Sequence, residues 1–253
     1  MKNSWYSLLL GLGVFQALPV SLSAADGLPP LRVGVAPVSP PMIFKEGTRI
    51  VGLEADCAQA LGKELGRPIQ FVELPWEDII DALNDDKIDI IMSSMSVTPA
   101  RQFRVAFSAP YLRVGQMALV HATAKFSTGL FTGSLANRTI GVRKGTTGDL
   151  LVQQEFPRAK RKYFKTDDEG AIALSKDRID LFIDDSTMTW YLAGVYESKG
   201  LIVAPFVLSQ EVLGWGMKRS DTSLQQAVNA FLQKAQTSGE LDQIVRRWIP
   251  RFQ

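Results

Sequence analysis

The chain has 253 residues, of which 46% are hydrophobic and 21% charged, a composition typical of one large or two small globular domains. Its 28 Lys and Arg residues nearly balance its 26 Asp and Glu residues, which argues against a nucleic acid or an anionic membrane surface as the main partner. One cysteine, Cys57, and one histidine, His121, exclude an internal disulfide and a zinc site of the usual ligand spacing. We interpret both as structural residues. We therefore expect an ordinary hydrophobic core, with no metal and no cofactor.

The first 25 residues have the pattern of a secretory signal peptide. Lys2 is followed by an apolar run at 8–18 and by small residues at 23–25. This run is too short to span a membrane as a helix. We therefore predict a cleaved signal peptide at 1–25 and export to the periplasm.

The rest of the chain alternates twice between strand and helix patterns. Strands are first predicted at 31–36, 69–74 and 88–92, and helices at 52–66 and 76–86. Later strands are predicted at 138–142, 161–164 and 179–183, and helices at 148–156, 166–177 and 186–199. Each alternation indicates a mostly parallel sheet with helices on both faces, so we predict two α/β lobes. The last predicted strand of each lobe begins with the same pattern, a basic residue followed by Ile and Asp, at 87–89 and at 178–180. We interpret the two aspartates, Asp89 and Asp180, as structural.

Two extended segments, 107–121 and 205–221, connect the lobes. The first lobe is therefore predicted to be discontinuous, at 27–113 plus 214–253, and the second lobe is predicted at 114–213. Two connections permit hinge bending about one axis while the lobes keep their register. Because open α/β sheets bind ligands beyond the carboxyl ends of their strands, we predict a small-molecule site in the cleft between the lobes.

Polar side chains follow the last predicted strand of the first lobe. Ser94 and Ser96 precede Arg101, whose guanidinium group offers two parallel hydrogen bonds to a carboxylate. The alternative is that Thr98 and Pro99 cap a helix while Arg101 points to solvent. Both interpretations hold together if the cap fixes the position of Arg101.

The second lobe has a similar polar strand end. Asp184 and Asp185 either cap the following helix, or one of them balances a ligand cation. The glycine-flanked turn at 141–151 opens a helix whose N–H groups favour an anion, although it lacks the P-loop sequence. Trp76 is either a lid on the core or an apolar platform for a ligand. Arg101 and Asp185, from opposite lobes, would together form a receptor for a zwitterion that is complete only when the cleft closes.

The chain resembles the bacterial extracellular solute-binding proteins for polar amino acids, such as the lysine/arginine/ornithine- and glutamine-binding proteins. The resemblance is carried by "KIDIIMSSMSVTPARQFRVAFSAPYL", "IGVRKGTTG", "RIDLFIDD" and "GELDQIVRRWIP". It implies an α/β, two-lobed periplasmic-binding-protein (Venus-flytrap) fold, with each lobe a mostly parallel sheet flanked by helices and with two crossing strands between them. It also implies a non-enzymatic role, in which an amino-acid-like zwitterion is captured and delivered to an inner-membrane ABC transporter permease. We expect a monomer.

The resemblance also implies a role for each residue of the site. Arg101 would hold the ligand α-carboxylate, helped by the backbone of Ser96 and Thr147. Asp185 would hold the α-amino group, and Trp76 stands where the family has a stacking aromatic. The predicted ligand-binding residues are Trp76, Ser94, Ser96, Arg101, Arg143, Thr147, Asp184 and Asp185.

The ligand side chain would be read by Arg143, Gly148 and Asp184. Relatives that bind lysine or glutamine carry an acid at the position of Ala36, and Asp184 could supply a substitute charge. The positions that depart from the family pattern are Ala36, Ser39 and Met42. The side chain of the ligand is therefore left open.

Two other functions are compatible with this scaffold. Secreted cyclohexadienyl dehydratases resemble these binding proteins, but they carry Asn-Glu after a Gly-Thr. This chain has Thr147 and Gly148 at those two positions. Its nearest acid is Asp149, one residue further on, and Asp184 is an extra acid. That mismatch favours a binding protein over an enzyme. A sensory binding module is the other alternative, and it would act through a separate partner.

Overall fold

The computed structural model describes residues 28–123, 135 and 137–249, so the predicted signal peptide at 1–25 lies outside the described residues. The strands are β1 (Leu31–Val35), β2 (Val38–Ser39), β3 (Ile43–Glu46), β4 (Arg49–Val51), β5 (Ile69–Glu73), β6 (Ile90–Ile91), β7 (Ala106–Phe107), β8 (Leu112–Val114), β9 (Gln116–His121), β10 (Thr139–Arg143), β11 (Lys160–Phe164), β12 (Leu181–Asp185), β13 (Leu201–Val203), β14 (Glu211–Leu213) and β15 (Gly216–Met217). The α-helices are α1 (Leu53–Leu65), α2 (Ile79–Asn84), α3 (Pro99–Arg104), α4 (Thr147–Glu155), α5 (Asp167–Ser175), α6 (Ser186–Val195), α7 (Thr222–Ser238) and α8 (Glu240–Trp248).

The first lobe is built on a five-stranded sheet with the order β5-β1-β6-β15-β7. β1 pairs in parallel with β5 and β6, and β15 runs antiparallel to β6 and β7, so four of the five strands point in one direction. Successive residues of a strand face opposite sides of a sheet. Ile90 accordingly packs in one apolar cluster with α1, α7 and α8, while Ile91 packs in another with α2. Helices therefore cover both faces of the sheet.

The second lobe repeats this plan in a sheet with the order β11-β10-β12-β9-β13. β10 is parallel to β11 and β12, and β9 is antiparallel to β12 and β13. Leu181 and Ile183 of β12 pack in a cluster with α4, whereas Phe182 packs on the other face with α5 and α6. The predicted pair of mostly parallel α/β lobes is confirmed.

Two crossing strands connect the lobes, as predicted. β8 and β14 pair antiparallel, with Leu112 opposite Leu213 and Val114 opposite Glu211. The predicted lobe boundaries, at 113/114 and 213/214, fall in or directly after these two strands. They stay a prediction, because the pairing of the strands does not itself say where the chain bends.

Several predicted elements differ in their limits. The helix predicted at 76–86 begins with a 3₁₀ turn at Trp76–Asp78 before α2, and the one predicted at 186–199 ends at Val195 and is followed by a 3₁₀ turn at Glu197–Lys199. The strand predicted at 88–92 is shorter in the structure, where only β6 (Ile90–Ile91) is a strand. These differences lie at element ends, where local sequence patterns are least informative.

The two aspartates of the basic-Ile-Asp sequences have the same structural task. Asp89 accepts a hydrogen bond from the backbone N–H of Arg32 at 2.8 Å, and Asp180 accepts one from that of Thr139 at 2.7 Å. Each aspartate thereby ties the start of one strand to the start of its parallel neighbour. Cys57 is buried in the core of the first lobe. Among the described helices, none combines the length and the apolar character needed to cross a membrane.

Candidate ligand-binding site

The eight predicted ligand-binding residues line one cavity between the lobes, at the carboxyl ends of the central strands. The lobes meet around it through side chains. Trp76 Nε1 and Arg101 Nη2 each donate to the carbonyl oxygen of Gly145 at 3.3 Å, and Arg143 Nη1 donates to Ser39 Oγ at 2.6 Å. The strand ends that the sequence marked as polar are thus brought together in space. Whether these residues bind a ligand stays a prediction.

The serine-rich loop after β6, residues 93–96, is anchored by Glu54, a residue that the sequence analysis did not identify. Glu54 Oε1 accepts from the backbone N–H of Ser94 at 2.8 Å, and the same carboxylate accepts from Tyr111 Oη and, at 2.9 Å, from Trp215 Nε1. Ser94 has φ near +53°, in the left-handed region, so this anchor holds an unfavourable backbone conformation. The signal available in the sequence was an acid between the apolar residues Leu53 and Ala55.

Glu54 is fully buried, and this burial raises its pKa to about 7, against the opposing effect of the three hydrogen bonds. Its donors Tyr111 and Trp215 lie directly before β8 and shortly after β14. One buried carboxyl group therefore links the loop at the cavity to both crossing strands. The hydroxyl oxygen of Ser94 is buried and has no hydrogen-bond partner among the described residues.

Arg101 lies at the cavity and not in solvent, so the solvent-exposed alternative is wrong. Thr98 does cap α3, since its hydroxyl group accepts from the backbone N–H of Arg101 at 3.2 Å. The Arg101 side chain then turns inward, donates to the carbonyl oxygen of Ser96 at 2.9 Å and lies over the Trp76 ring at 5.0 Å. Burial lowers the pKa of Arg101, opposed by the charges of Asp185 and Glu211. Arg101 forms no salt bridge within the described part of the chain.

Asp185 contributes the opposite charge from the second lobe. It occupies the N-cap position of α6, yet its side chain makes no capping hydrogen bond. Gln116 Nε2 donates to Asp185 Oδ1 instead, and these residues face each other across β9 and β12. Burial and the nearby charge of Glu211 raise the pKa of Asp185 to about 7. Gln116 escaped sequence reasoning because its place opposite Asp185 depends on the register of two distant strands.

The turn before α4 brings Thr147 to the cavity. Thr146 caps the helix by accepting from the backbone N–H of Asp149 at 3.3 Å. Thr147 Oγ1 accepts from Gln116 Nε2 at 3.0 Å and lies 3.5 Å from Ser96 Oγ of the other lobe. The N–H groups in the first turn of an α-helix have no intrahelical acceptor, so the backbone of Thr147 is a suitable donor to an anion in the cavity.

Arg143 and Asp184 lie beside a third charged residue, Asp167, which sequence reasoning did not identify. Arg143 Nη1 donates to Asp167 Oδ2 at 3.2 Å, and this ion pair is almost fully buried. Asp184 Oδ1 accepts from the backbone N–H of Asp185 at 2.7 Å. Burial and the charge of Asp184 raise the pKa of Asp167 well above its usual range. Asp167 opens α5 within a run of three acids, a pattern that also fits a simple helix start.

The comparisons with known proteins agree with this architecture. The family model described as bacterial extracellular solute-binding proteins, family 3, matches residues 31–251. The arginine-binding extracellular protein ArtP of Bacillus subtilis is 26% identical over 259 residues, which cover 98% of each chain. A mutant of ArgBP from T. maritima has a similar structure, with a TM-score of 0.81 and 30% identity over 87% of this chain and 95% of that one.

A third relative bears on the enzymatic alternative. The ancestral amino acid-binding protein AncCDT-1, described as a precursor of cyclohexadienyl dehydratase, has a TM-score of 0.78 and is 31% identical over 86% of this chain and 94% of that one. Because the family model spans nearly the whole chain after the predicted signal peptide, this chain belongs to the bacterial extracellular solute-binding proteins of family 3. Its role is that of a substrate-binding protein.

Proposed function

We propose that the protein is a monomeric periplasmic receptor that captures an α-amino acid between its lobes and delivers it to an inner-membrane ABC transporter permease. The observation that carries the proposal is the pairing of Arg101 and Asp185. They come from opposite lobes, line the same cavity and carry opposite charges, and neither forms a salt bridge with another described residue. A buried charge without a counter-ion in direct contact is costly, and an amino-acid zwitterion supplies both contacts at once.

Each end of the zwitterion has suitable partners. The guanidinium group of Arg101 offers a planar pair of N–H donors that matches a carboxylate, supplemented by the backbone N–H of Thr147. Asp185 Oδ2 and the hydroxyl groups of Ser94 and Ser96 provide acceptors for the ammonium group. Trp76, already stacked on Arg101, offers an apolar surface to the ligand stem.

Ligand binding would then close the cleft, because Arg101 belongs to the first lobe and Asp185 to the second. A ligand shifts an equilibrium between open and closed forms only by as much as it prefers one of them. Moving the population from about 1:99 to 99:1 requires a preference of about 5.5 kcal/mol for the closed form. Ionic contacts to both lobes are a source for such a preference.

We propose binding without turnover. The acid nearest to the position used by the dehydratases, Asp149, accepts hydrogen bonds from the backbone N–H of Gly145 at 3.0 Å and from Arg161 Nη1 at 2.7 Å. It is also absent from the cavity wall. An acid engaged in this way is poorly placed to donate a proton to a substrate in the cleft.

A thermal-shift screen of the protein without residues 1–25 tests the receptor function. The panel contains the standard amino acids, their simple derivatives and prephenate. A cognate amino acid at a hundredfold excess over its Kd adds about 2.7 kcal/mol to the free energy of unfolding, so we expect Tm to rise by about 5 to 10 °C. Stabilisation by prephenate alone, with formation of a product that absorbs in the ultraviolet, would favour the dehydratase. A panel without any shift would refute the zwitterion receptor.

The pKa of Asp185 predicts how affinity depends on pH. Below its pKa of about 7, Asp185 is protonated in the free protein and must release its proton before it can balance the ligand ammonium group. We therefore expect the association constant to fall by about tenfold for each pH unit below about 7. Calorimetry from about pH 5 to pH 8 measures this slope. Asp185→Asn should flatten the profile, and a variant that keeps the wild-type slope would assign the titration to another group, such as Glu54.

A further inference from the structure

The α-carboxylate and α-amino partners leave three charged side chains without a role: Arg143 and Asp184, which line the cavity, and the buried Asp167, which pairs with Arg143. Asp167 is 1% exposed, and its Oδ2 atom accepts from Arg143 Nη1 at 3.2 Å and from Ser39 Oγ at 3.4 Å. Its other oxygen, Oδ1, has no donor among the residues that the structure describes. Asp184 is similar, since Oδ1 is bonded to the backbone N–H of Asp185 while the buried Oδ2 has no described donor.

The two buried carboxyl groups are neighbours, since a side-chain hydrogen bond between them contributes to the pKa of each. Two ionised carboxylates only accept hydrogen bonds, so as a doubly charged pair they would repel and leave both of these oxygens unsatisfied. One proton held between them supplies the missing donor and removes one negative charge. The remaining negative charge is balanced by Arg143.

The surroundings of the pair favour this shared proton. The charged groups acting on it are Arg143 from β10, which stabilises a negative charge, and Asp185 from β12, which opposes a second one. Burial is the largest influence on both members and raises the pKa of each. A single guanidinium group cannot offset the burial of two carboxylates that also lie beside Asp185.

We infer, on the basis of the receptor function proposed above, that Asp167 and Asp184 share one proton and form with Arg143 a side-chain subsite of zero net charge that selects an amino acid with an uncharged carboxamide side chain. A carboxamide has an acceptor and a donor side by side. Its oxygen can accept from Arg143, whose Nη2 and Nε make no hydrogen bond with another described residue. Its NH₂ group can donate to Asp184.

Other side chains fit this subsite less well. An aliphatic side chain would leave the Nη2 and Nε donors of Arg143 without an acceptor, which is costly in a buried site. A cationic side chain would place a second positive charge beside Arg143, so it binds only if the pair gives up its proton to the solvent. Cationic ligands thus bind with release of one proton that a carboxamide ligand does not release.

Calorimetry with glutamine and arginine tests this difference. Each is titrated into the protein at about pH 7 in phosphate and in Tris, whose different ionisation enthalpies reveal the number of protons exchanged. Both ligands have the same α-groups, so the proton released by Asp185 cancels in the comparison. We expect glutamine to bind more tightly and arginine to release about one additional proton. The ratio of the arginine Kd to the glutamine Kd should fall by about tenfold per pH unit as pH rises.

Two variants test whether the difference in proton release comes from the Asp167–Asp184 pair. Asp167→Asn supplies a permanent donor to Asp184 and leaves no shared proton, so the difference in proton release between the two ligands should vanish. Asp168→Asn is the matched control, because Asp168 is the next residue of α5, is exposed and bonds to Tyr196. It should keep the wild-type difference. Equal proton release by both ligands in the wild type, or a preference for arginine at every pH, would refute the subsite.

A measurement on the ligand-free protein tests the shared proton independently of ligand binding. In protein labelled with ¹³C at the aspartate carboxyl carbons, we expect one proton on the Asp167–Asp184 pair at about pH 7, lost in Asp167→Asn and kept in Asp168→Asn. The Asp185 signal is assigned with Asp185→Asn. Fully ionised signals from both carboxyl groups would refute the shared proton. If this proton is present and a different class of amino acid binds, the receptor stands and the carboxamide selection is wrong; if no amino acid binds, the receptor function is wrong.

Discussion

Arg101→Ala should weaken the binding of every cognate amino acid by about 30-fold to several thousand-fold, whatever the ligand side chain. Removing one partner of a buried, hydrogen-bonded charge pair typically costs about 2–5 kcal/mol, and each 1.4 kcal/mol corresponds to about tenfold in affinity. Arg101 is 9% exposed and lines the cavity, where Nη1 and Nη2 donate to the carbonyl oxygens of Ser96 and Gly145. The ligand carboxylate would be left without its main partner, which calorimetry on the purified variant would measure.

Arg104→Ala is the matched control for this prediction. Arg104 lies one helical turn further along α3, where it is exposed and forms a surface salt bridge with Asp81, an interaction of little energetic weight. Its removal should leave ligand affinity within about threefold of the wild type. Arg101→Lys adds a second comparison, since it keeps the charge but loses the planar pair of donors and should fall between the wild type and Arg101→Ala. Equal affinities for Arg101→Ala and Arg104→Ala would exclude Arg101 from the carboxylate site.

Asp185→Asn should reduce affinity by about 10- to 150-fold for ligands that carry a free α-amino group. A hydrogen bond to a charged group is worth about 1.5–3 kcal/mol, and the substitution keeps the shape of the side chain while it removes the charge. Asp185 has a pKa of about 7, so the comparison belongs at about pH 8, where the wild-type side chain is mostly ionised. Calorimetry with the best ligand of the thermal-shift panel provides the two Kd values.

The des-amino analogue of the same ligand completes a double-mutant cycle with Asp185→Asn. The analogue lacks the ammonium group, so the wild type and the variant should bind it with similar affinity. A large loss for the complete ligand, combined with a small loss for the analogue, assigns the ammonium contact to Asp185. Equal losses for both ligands would mean that Asp185 acts by holding Gln116 and the end of β12, and the α-amino partner would have to be sought elsewhere.

Arg101→Ala and Asp185→Asn also test whether the ligand closes the cleft by bridging the two lobes. Arg101 belongs to the first lobe and Asp185 to the second, so each variant removes the ionic contact between the ligand and one lobe. A ligand that keeps an ionic contact with one lobe alone has a smaller differential affinity for the closed form. Both variants should therefore bind weakly and close poorly, which small-angle X-ray scattering with and without ligand would detect as a smaller change in the radius of gyration than in the wild type.

Much of the architecture could be predicted because its signals are local. The alternation of strand and helix patterns, repeated twice, predicted two α/β lobes, and the sheet orders and pairings agree with that prediction. The residue types at the ends of β6 and β12 also indicated where polar groups would meet, because the carboxyl ends of parallel strands lie at one edge of a sheet. Side-chain periodicity and capping involve residues a few positions apart, so a single sequence is enough to detect them.

The residues that escaped prediction depend on contacts between distant parts of the chain. Glu54 lies 40 residues from Ser94 and 161 from Trp215, and Gln116 lies 69 residues from Asp185. Their roles follow from the register of separate strands and from which helix covers which sheet. A helix pattern predicts that Glu54 lies on a helix, but it does not predict that Tyr111 and Trp215, next to the two crossing strands, will donate to it.

Local sequence thus established the class of fold, the family and the polar strand ends, because each depends on residues that are close together along the chain. The tertiary structure decided which charged partners each of several locally equivalent groups meets. Asp149 and Asp167 both lie in the first turn of a helix with a threonine cap, yet Asp149 turns toward Arg161 while Asp167 joins Arg143 and Asp184. Both acids are buried, and only their charged neighbours distinguish them. These neighbours come together only once the second lobe has folded.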